Sequence, residues 1–240
     1  TREFQVQEKI KESELVTSFV LTPKDGLPVK DFIPGQYIGV EIKTTSSPYQ
    51  EIRQYSLSDK PNGTSYRISV KRESSPKKGI ISNHLHDTTQ VGDTIHVHAP
   101  AGDFTLITNQ APIVLISAGV GITPMQSMLE YLADSNYTLP VQFLHACENP
   151  QQHSFYEKSK ALTARNSWPF HIWYNQPQSK DSYAKSGVMD LAQVNLPLAQ
   201  GHFYICGPVD FIDYIKGSLK ALGVNDSQVH YELFGPHQIL

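Results

Sequence analysis

Cysteine is scarce in this chain, with only Cys147 and Cys206 among 240 residues. Two cysteines cannot build a disulfide framework or a four-cysteine zinc or iron–sulfur site, so we expect free thiols in a reducing cytoplasm. A basic excess is missing as well, because the formal net charge is −3, and this balance argues against a nucleic-acid binder. No apolar run approaches the roughly 18 residues of a membrane-spanning helix, and no secretory signal opens the chain.

Histidine, by contrast, occurs ten times. The closest pairs are His84 with His86 and His96 with His98, but neither pair has a nearby cysteine or a third convincing ligand. A structural zinc site takes four such ligands. We therefore predict no metal site.

The chain length suits one large domain or two domains of about 100 to 140 residues, each able to bury a core. The hydrophobic content of 39% is too high for a disordered chain. The chain starts at Thr1 rather than at a methionine, which suggests a processed chain or a piece of a longer protein.

Short strands separated by turns fill the first half. Strands are predicted over 4–7, 18–21, 36–42, 53–58, 66–71 and 94–99, with one short helix over 80–86. Residues 66–71, for example, alternate and then run into a turn rich in Ser, Pro, Lys and Gly. Short strands joined by turns are typical of a small antiparallel β-barrel, here over residues 1–108.

At Pro112 the pattern changes to that of an α/β protein. Residues 113–117 form a continuous apolar run, typical of a strand buried on both faces of a parallel sheet. Further strands are predicted over 141–146, 170–174, 203–206 and 229–232, with helices over 125–133, 154–164 and 211–222. This alternation predicts a doubly wound, Rossmann-like α/β domain over residues 109–240.

The tetrapeptide Arg53-Gln54-Tyr55-Ser56 combines three chemistries on one predicted strand. Arg53 is a permanent planar cation whose forked donors suit a phosphate. Tyr55 offers a flat ring that can lie against another ring, and Ser56 is a small donor and acceptor. Strand alternation places Arg53 and Tyr55 on one face. The alternative is an ordinary half-buried strand with one surface arginine.

Two glycine-containing turns precede predicted helices. Gly79 opens the helix over 80–86, where free N–H groups and the helix dipole favour an anion and the Ser82 hydroxyl could assist. Residues 119–124 read Gly-Val-Gly-Ile-Thr-Pro between a buried strand and a helix, where a dinucleotide phosphate turn belongs. The alternatives are a plain helix cap and a plain tight turn.

Two further segments end strands of the α/β half. Cys206-Gly207-Pro208 follows an apolar strand, at the carboxyl edge where ligands of such sheets lie. Residues 231–236, Tyr-Glu-Leu-Phe-Gly-Pro, end the last strand and could reach the same crevice. The alternative for both segments is core packing, and a buried cysteine commonly behaves as a small hydrophobe.

Taken in order, these segments resemble the ferredoxin–NADP reductase superfamily, and more narrowly the C-terminal reductase half of a bacterial flavohaemoglobin. The resemblance runs the whole chain. It is carried by residues 32–37, 53–57, 70–73, 91–93, 99–104, 119–124, 206–208 and 231–236. The Arg-Xaa-Tyr-Ser, Gly-Xaa-Gly-Xaa-Xaa-Pro and Cys-Gly-Pro motifs are specific to the superfamily. Pro-Ala-Gly-Asp-Phe and Tyr-Glu-Xaa-Phe-Gly-Pro point to the flavohaemoglobin branch.

The resemblance implies an FAD-binding barrel, residues 1–108, followed by an NAD(P)H-binding domain, residues 109–240. Arg53 would pair with the FAD pyrophosphate, Tyr55 would pack on the isoalloxazine ring, and Ser56 would bond near its N5. Cys206 would lie beside the nicotinamide, and Glu232 would border the flavin. The implied catalytic residues are Tyr55, Ser56, Cys206 and Glu232. The implied cofactor-binding residues are Tyr37, Arg53, Gln54, Tyr55, Ser56, Gly79, Ser82, Gly119, Val120, Gly121, Ile122, Thr123, Pro124, Cys206, Gly207, Pro208, Leu233, Phe234, Gly235 and Pro236.

By the same resemblance, a hydride passes from NAD(P)H to FAD, and single electrons then pass to a haem in a globin domain. These 240 residues hold no globin, so nitric oxide dioxygenation to nitrate would belong to the whole protein. Glu148 follows the strand over 141–146 without an arginine pair, which favours NADH over NADPH.

Two other functions stay open. A free-standing NAD(P)H reductase of free flavin, ferric iron or a carrier protein would carry the same motifs. A subunit that binds flavin only as a structural or sensory group needs no nicotinamide site, so residues 119–124 and Cys206 speak against it.

Overall fold

Six antiparallel strands form the first half of the computed structural model, which describes residues 1–45, 48–75, 78–108, 110–178 and 180–234. The strands are β1 (Arg2–Lys11), β2 (Val16–Pro23), β3 (Tyr37–Ile42), β4 (Glu51–Ser56), β5 (Tyr66–Lys71) and β6 (Thr94–Val97). They are hydrogen-bonded in the order β4-β3-β6-β1-β2-β5. A bridge between Leu57 and Ile68 joins the two outer strands. The predicted antiparallel barrel is confirmed.

Strand alternation supplies the core of the barrel. Phe4 and Val6 of β1 are at most 2% exposed, and Ile38 and Val40 of β3 are fully buried. Burying side chains of this size stabilises a domain by about 1.5–3 kcal/mol each, before the entropy of ordering the chain is counted. One helix, α1 (Ile80–Asp87), follows β5 and lies where it was predicted.

Six parallel strands form the second half, in the order β10-β9-β8-β7-β11-β12. They are β7 (Ile113–Ala118), β8 (Val141–Cys147), β9 (Phe170–Tyr174), β10 (Lys185–Ser186), β11 (His202–Gly207) and β12 (Val229–Leu233). The helices are α2 (Ile122–Asp134), α3 (Tyr156–Arg165) and α4 (Val209–Ala221). Apolar side chains of α2 and α3 pack on one face of the sheet and those of α4 on the other. The predicted doubly wound domain is confirmed.

Several predicted bounds differ from the structure by a few residues, and two differences have a clear physical reason. Helix α2 begins at Ile122 and not at Met125, because Pro124 fits the first helical turn, where its missing N–H costs nothing. Strand β10 was not predicted, because two polar residues carry no strand pattern. Within the part of the chain that the structure describes, no helix has the length and apolar character to cross a membrane.

Candidate functional site

The register of β4 on β3 sets the faces of the Arg53–Ser56 tetrapeptide. Arg53 lies opposite Val40 and Tyr55 opposite Ile38, whereas Ser56 lies opposite Tyr37. Directly opposed residues of an antiparallel pair point to the same face. Arg53 and Tyr55 therefore share a face, as strand alternation predicted, and Ser56 lies on the other face with Tyr37.

Two hydrogen bonds orient the Arg53 side chain, which remains about half exposed to solvent. Its Nη2 donates to Glu51 Oε2 at 2.7 Å, its Nη1 donates to the Ile52 carbonyl oxygen at 2.9 Å, and the side chain is 52% exposed. A guanidinium carries five N–H donors, so donors remain for a phosphate. Tyr55 packs against the barrel core. Burial raises the pKa of its phenol above the usual value, although Arg53 opposes the shift, so this ring is neutral.

The start of α1 is tied to Glu73, because the Gly79 N–H donates to the Glu73 carbonyl oxygen at 2.8 Å. The charge of Glu73 also raises the pKa of the Tyr55 phenol. A Cβ on Gly79 would lie 2.6 Å from Ser82 Oγ and 2.9 Å from Glu73 Cβ, so a larger residue there would have to displace these two side chains. No side chain of the described residues caps α1, which leaves its first N–H groups to an anion. The Ser82 hydroxyl accepts a hydrogen bond from the Glu73 N–H at 3.2 Å.

A crevice separates the barrel from the carboxyl edge of the parallel sheet. It contains a cavity of about 440 Å³, whose lining includes Tyr37 and Asp103 on the barrel side and Glu232 and Leu233 of β12. Gly102 has φ +108°, and a Cβ there would lie 2.8 Å from the Tyr37 ring. Glycine at this position lets the chain turn closely around Tyr37.

The glycine turn after β7 is seated against the end of β11. Residues Gly119–Gly121 form a single 3₁₀ turn that leads into α2. A Cβ on Gly121 would lie 2.6 Å from the Cys206 carbonyl carbon and 2.7 Å from the Gly207 nitrogen. Gly119 has φ +54° and open space beyond its Cα. The turn thus presents backbone to open space at a helix start, as a phosphate-binding turn does.

Cys206 lies in the middle of a row of side chains across the sheet. It is in register with Ser117 of β7 and with Glu232 of β12. Burial, and then the charge of Glu232, raise the pKa of the Cys206 thiol well above its usual value. Burial, and then the charge of Asp103, also raise the pKa of Glu232. Glu232, a carboxyl that ionises less readily than usual, therefore lines the cavity, and the neutral Cys206 thiol is fully buried in the neighbouring strand.

These features fit two nucleotide cofactors. The donor set of Arg53 and the uncapped α1 suits a pyrophosphate on the barrel, and the open turn at Gly119 suits a second one on the sheet. Gly79 and Gly121 form cradles that a Cβ would fill.

Two family models match the chain. Residues 3–106 match the oxidoreductase FAD-binding domain, and residues 115–217 match the oxidoreductase NAD-binding domain. The chain also superposes on the crystal structure of the flavohem-like FAD/NAD binding domain of nitric oxide dioxygenase from Vibrio cholerae, with a TM-score of 0.94 and 48% identity over 98% of this chain and 99% of that one. The chain belongs to the FAD/NAD-binding reductase modules of flavohaemoproteins. It is accordingly an FAD-dependent NAD(P)H oxidoreductase of the ferredoxin–NADP reductase superfamily.

The reductase module is shorter than the full-length relatives. It is 48% identical over 238 residues to the flavohemoprotein of Vibrio cholerae, which covers 98% of this chain but only 60% of that protein. It also superposes on a flavohemoglobin of Malassezia yamatoensis with bound FAD and heme, with a TM-score of 0.84, 22% identity and 98% and 60% coverage of the two chains. At that identity the second likeness shows the fold alone.

Of the predicted site residues of the reductase module, Tyr37, Glu232 and Leu233 line the cavity, whereas Cys206 is fully buried. Gly235 and Pro236 lie outside the described residues. Gln54 is exposed, Pro208 precedes α4 as its N-cap, and Phe234 packs partly on the sheet core. Ile122, Thr123 and Pro124 are buried in the first turn of α2. The individual roles of all these residues stay predictions.

Sequence reasoning missed a buried polar pair beside Cys206. Ser117 Oγ is 2.8 Å from His145 Nδ1, and the His145 ring lies 4.7 Å from the ring of His153. Burial lowers the pKa of both imidazoles, so they are neutral. The sequence did carry a signal for this pair, because Ser117 and His145 are polar residues near the carboxyl ends of two otherwise apolar strands. Two histidines of the pairs considered for a metal have other partners: His86 bonds the Val70 carbonyl oxygen and His98 bonds Glu41.

We predict that Cys206→Ser slows flavin reduction by NADH about tenfold, a barrier change of about 1.4 kcal/mol, without emptying the flavin site. The reason is that Cys206 ends β11 between Ser117 and Glu232, where the nicotinamide would approach. Stopped-flow reduction measures this, with Cys147→Ser as the control. If Cys206 only packs the core, the rate stays near wild type while thermal stability falls.

Proposed function

We propose that the chain transfers a hydride from NADH to FAD and passes the electrons one at a time to a haem, as the reductase part of a nitric oxide dioxygenase. One observation carries the proposal: Tyr37 of the barrel and Glu232 of the sheet line one cavity, with Cys206 in register beside Glu232. A nicotinamide and a flavin can meet only where the two domains share such a crevice.

Each group of residues has a role in this proposal. FAD supplies the chemistry, because it accepts a hydride and can release electrons singly. Arg53 and the start of α1 hold its pyrophosphate, and Tyr55 supports its ring. The turn at Gly119–Gly121 holds the phosphates of NADH. Cys206 and Glu232 enclose the place of transfer, so the protein contributes position and exclusion of water.

NADH, rather than NADPH, is the donor we propose. Glu148 follows β8, and its Oε2 accepts a hydrogen bond from Asn175 Nδ2 at 3.1 Å, just past the end of β9. The adenosine ribose of a Rossmann-like site lies near these strand ends, where a carboxylate favours a free 2′-hydroxyl and repels a 2′-phosphate.

The electron acceptor we propose is the haem of a globin domain. The full-length relatives are a flavohemoprotein and a flavohemoglobin with bound heme, and the chain spans 60% of each. The location we propose is the cytoplasm, where NADH is the electron donor and where Cys147 and Cys206 would remain free thiols.

We predict that this polypeptide reduces a ferric globin supplied separately, at a rate that rises with globin concentration. Covalent linkage normally gives a partner domain an effective concentration in the millimolar range, so transfer between separate molecules should be slow. The assay mixes the FAD-loaded chain with NADH and a ferric globin under anaerobic conditions and follows the haem spectrum.

The control is the same mixture without the chain, which gives the direct reduction of haem by NADH. Reduced flavin with no haem reduction above that background would favour a free-standing reductase of flavin, ferric iron or a carrier protein. Catalytic consumption of nitric oxide by these 240 residues without any haem would contradict the division of labour itself.

A further inference from the structure

A cluster of charged side chains, with the buried Arg67–Glu130 pair at its centre and a half-exposed lysine at its edge, joins the two domains. We call Asp59, Arg67, Glu130 and Lys158 the interdomain ion cluster. Arg67 lies on β5, Glu130 on α2 and Lys158 on α3, while Asp59 follows β4 closely. The Arg67 and Glu130 side chains are 8% and 5% exposed. The crevice chemistry uses none of these four residues.

Glu130 is the centre of this cluster. Its Oε1 accepts from Arg67 Nη2 at 3.2 Å and from Lys158 Nζ at 2.6 Å, and its Oε2 accepts from the Lys60 N–H at 3.3 Å. Its carboxylate also hydrogen bonds with Asp59. One side chain of the NAD-binding domain is thereby held by three residues of the barrel.

Helix α2 makes further contacts to the same segment of the barrel. Ser127 Oγ donates to the Asp59 carbonyl oxygen at 2.7 Å. Nearer to solvent, Lys60 Nζ pairs with Asp134 Oδ1 at 2.6 Å, with the Asp134 side chain 64% exposed. Both contacts fall on the residues that directly follow Leu57.

The cluster is connected to both halves of the crevice by short, rigid pieces of chain. Asp59 comes three residues after Ser56, at the end of the strand that carries Arg53 and Tyr55. Helix α2 starts directly after Gly121, and nine residues at 1.5 Å rise place Glu130 about 13 Å along it. A shift of α2 on the barrel would therefore move the Gly119–Gly121 turn relative to Tyr55.

We propose that the interdomain ion cluster positions the two substrate sites for hydride transfer, by locking α2 and its glycine turn onto the strand end that carries Tyr55 and Ser56. This inference rests on the proposed function. A buried ion pair contributes little net stability but tolerates few alternative arrangements, because separating its members leaves buried charge without a partner. Displacement of reacting groups by about 1 Å can slow a reaction about a hundredfold.

The test compares Glu130→Gln with Asp134→Asn. Both residues lie on α2 and contact the barrel, but only Glu130 is buried. With saturating NADH, we expect Glu130→Gln to slow flavin reduction roughly tenfold or more, with FAD content and NADH half-saturation within about twofold of wild type. For Asp134→Asn we expect the reduction rate, the FAD content and the NADH half-saturation all to stay within about twofold of wild type. Lys158→Gln keeps the Arg67–Glu130 pair and serves as the second variant if Glu130→Gln does not fold. We expect it to slow flavin reduction as well, but by a smaller factor.

Amide hydrogen exchange of the FAD-free chain gives a second readout. We expect Glu130→Gln to speed exchange in residues 57–60 and in α2, and Asp134→Asn to leave it unchanged. Wild-type reduction and exchange in Glu130→Gln would overturn the proposal, as would a slow rate fully explained by lost FAD. Failure of NADH to reduce the wild type would refute the proposed function alone, because the exchange experiment still reports whether the cluster fixes α2.

The cluster also predicts a pH effect on stability. Burial, and then its hydrogen bond with Glu130, raise the pKa of Asp59 to about 6, against the opposing charges of Arg67 and Lys158. The Lys60 N–H donates to Asp59 Oδ1 at 2.8 Å, while the Lys60 ammonium pairs with Asp134. Between about pH 4 and about pH 6, the folded chain keeps a proton on Asp59 that the unfolded chain releases. The contribution of Asp59 to the free energy of unfolding therefore falls as pH rises through this range.

Asp59→Asn should remove that contribution. We expect the unfolding midpoint of Asp59→Asn, relative to that of the wild type, to increase as pH rises from about 4 to about 7. A constant difference between the two midpoints across this range would contradict the assignment of the proton to Asp59.

Discussion

Arg53→Ala is expected to lose most of its FAD during gel filtration while the fold survives. Strand alternation places Arg53 beside Tyr55 in β4, and its side chain is 52% exposed, so removing it opens no core cavity. A charge-assisted, bidentate contact to a phosphate contributes about 1.5–3 kcal/mol. The dissociation constant for FAD should therefore rise about tenfold to a hundredfold. The flavin-to-protein absorbance ratio after gel filtration measures the loss.

Glu51→Gln is the matched control for Arg53→Ala. Its carboxylate holds Arg53 Nη2 at 2.7 Å and competes with a phosphate for the same fork. The amide should release the guanidinium and leave FAD occupancy equal to or above that of wild type. Full occupancy in Arg53→Ala would show that the pyrophosphate lies elsewhere.

Gly121→Ala is expected to abolish most NADH-dependent reduction of the flavin while FAD stays bound. The added Cβ would lie within 2.7 Å of the Cys206 and Gly207 backbone, which cannot move aside as a flexible side chain could. The turn must then lift from the end of β11, and overpacking of this kind costs about 1–3 kcal/mol. We expect the NADH concentration for half-maximal reduction to rise at least about tenfold, as measured by stopped-flow absorbance.

Gly217→Ala is the control for Gly121→Ala. Gly217 lies inside α4, and a Cβ there meets no atom within 4 Å. Alanine in an open helical position stabilises by up to about 1 kcal/mol and should leave reduction unchanged. Equal reduction rates in the two variants would show that the turn at Gly121 does not hold the dinucleotide.

Local pattern was enough to predict most strands and helices and the shared face of Arg53 and Tyr55. Alternation along β4 placed Arg53 with Tyr55, since a strand repeats every two residues. The apolar run in β7 followed by glycines predicted both the parallel sheet and the turn at its edge. Each of these inferences depends on neighbours in sequence, where geometry is fixed by the backbone.

Long-range placement was beyond the sequence. The polar side chains of α2 are buried along with its apolar ones, because Glu130 pairs with Arg67 of a strand that lies 63 positions away in sequence. The Ser117–His145 bond likewise joins two strands whose adjacency appears only in the sheet order. No local period records which partner will neutralise a buried polar group.

The central claim is that this chain moves a hydride from NADH to a bound FAD. The most direct measurement is the visible absorption spectrum of the purified, FAD-loaded chain before and after anaerobic addition of NADH. We expect an oxidised flavin spectrum that bleaches on addition of NADH, at a rate that saturates with NADH concentration. A chain that retains no FAD after gel filtration, or a bound flavin that stays oxidised in excess NADH and NADPH, would contradict the claim.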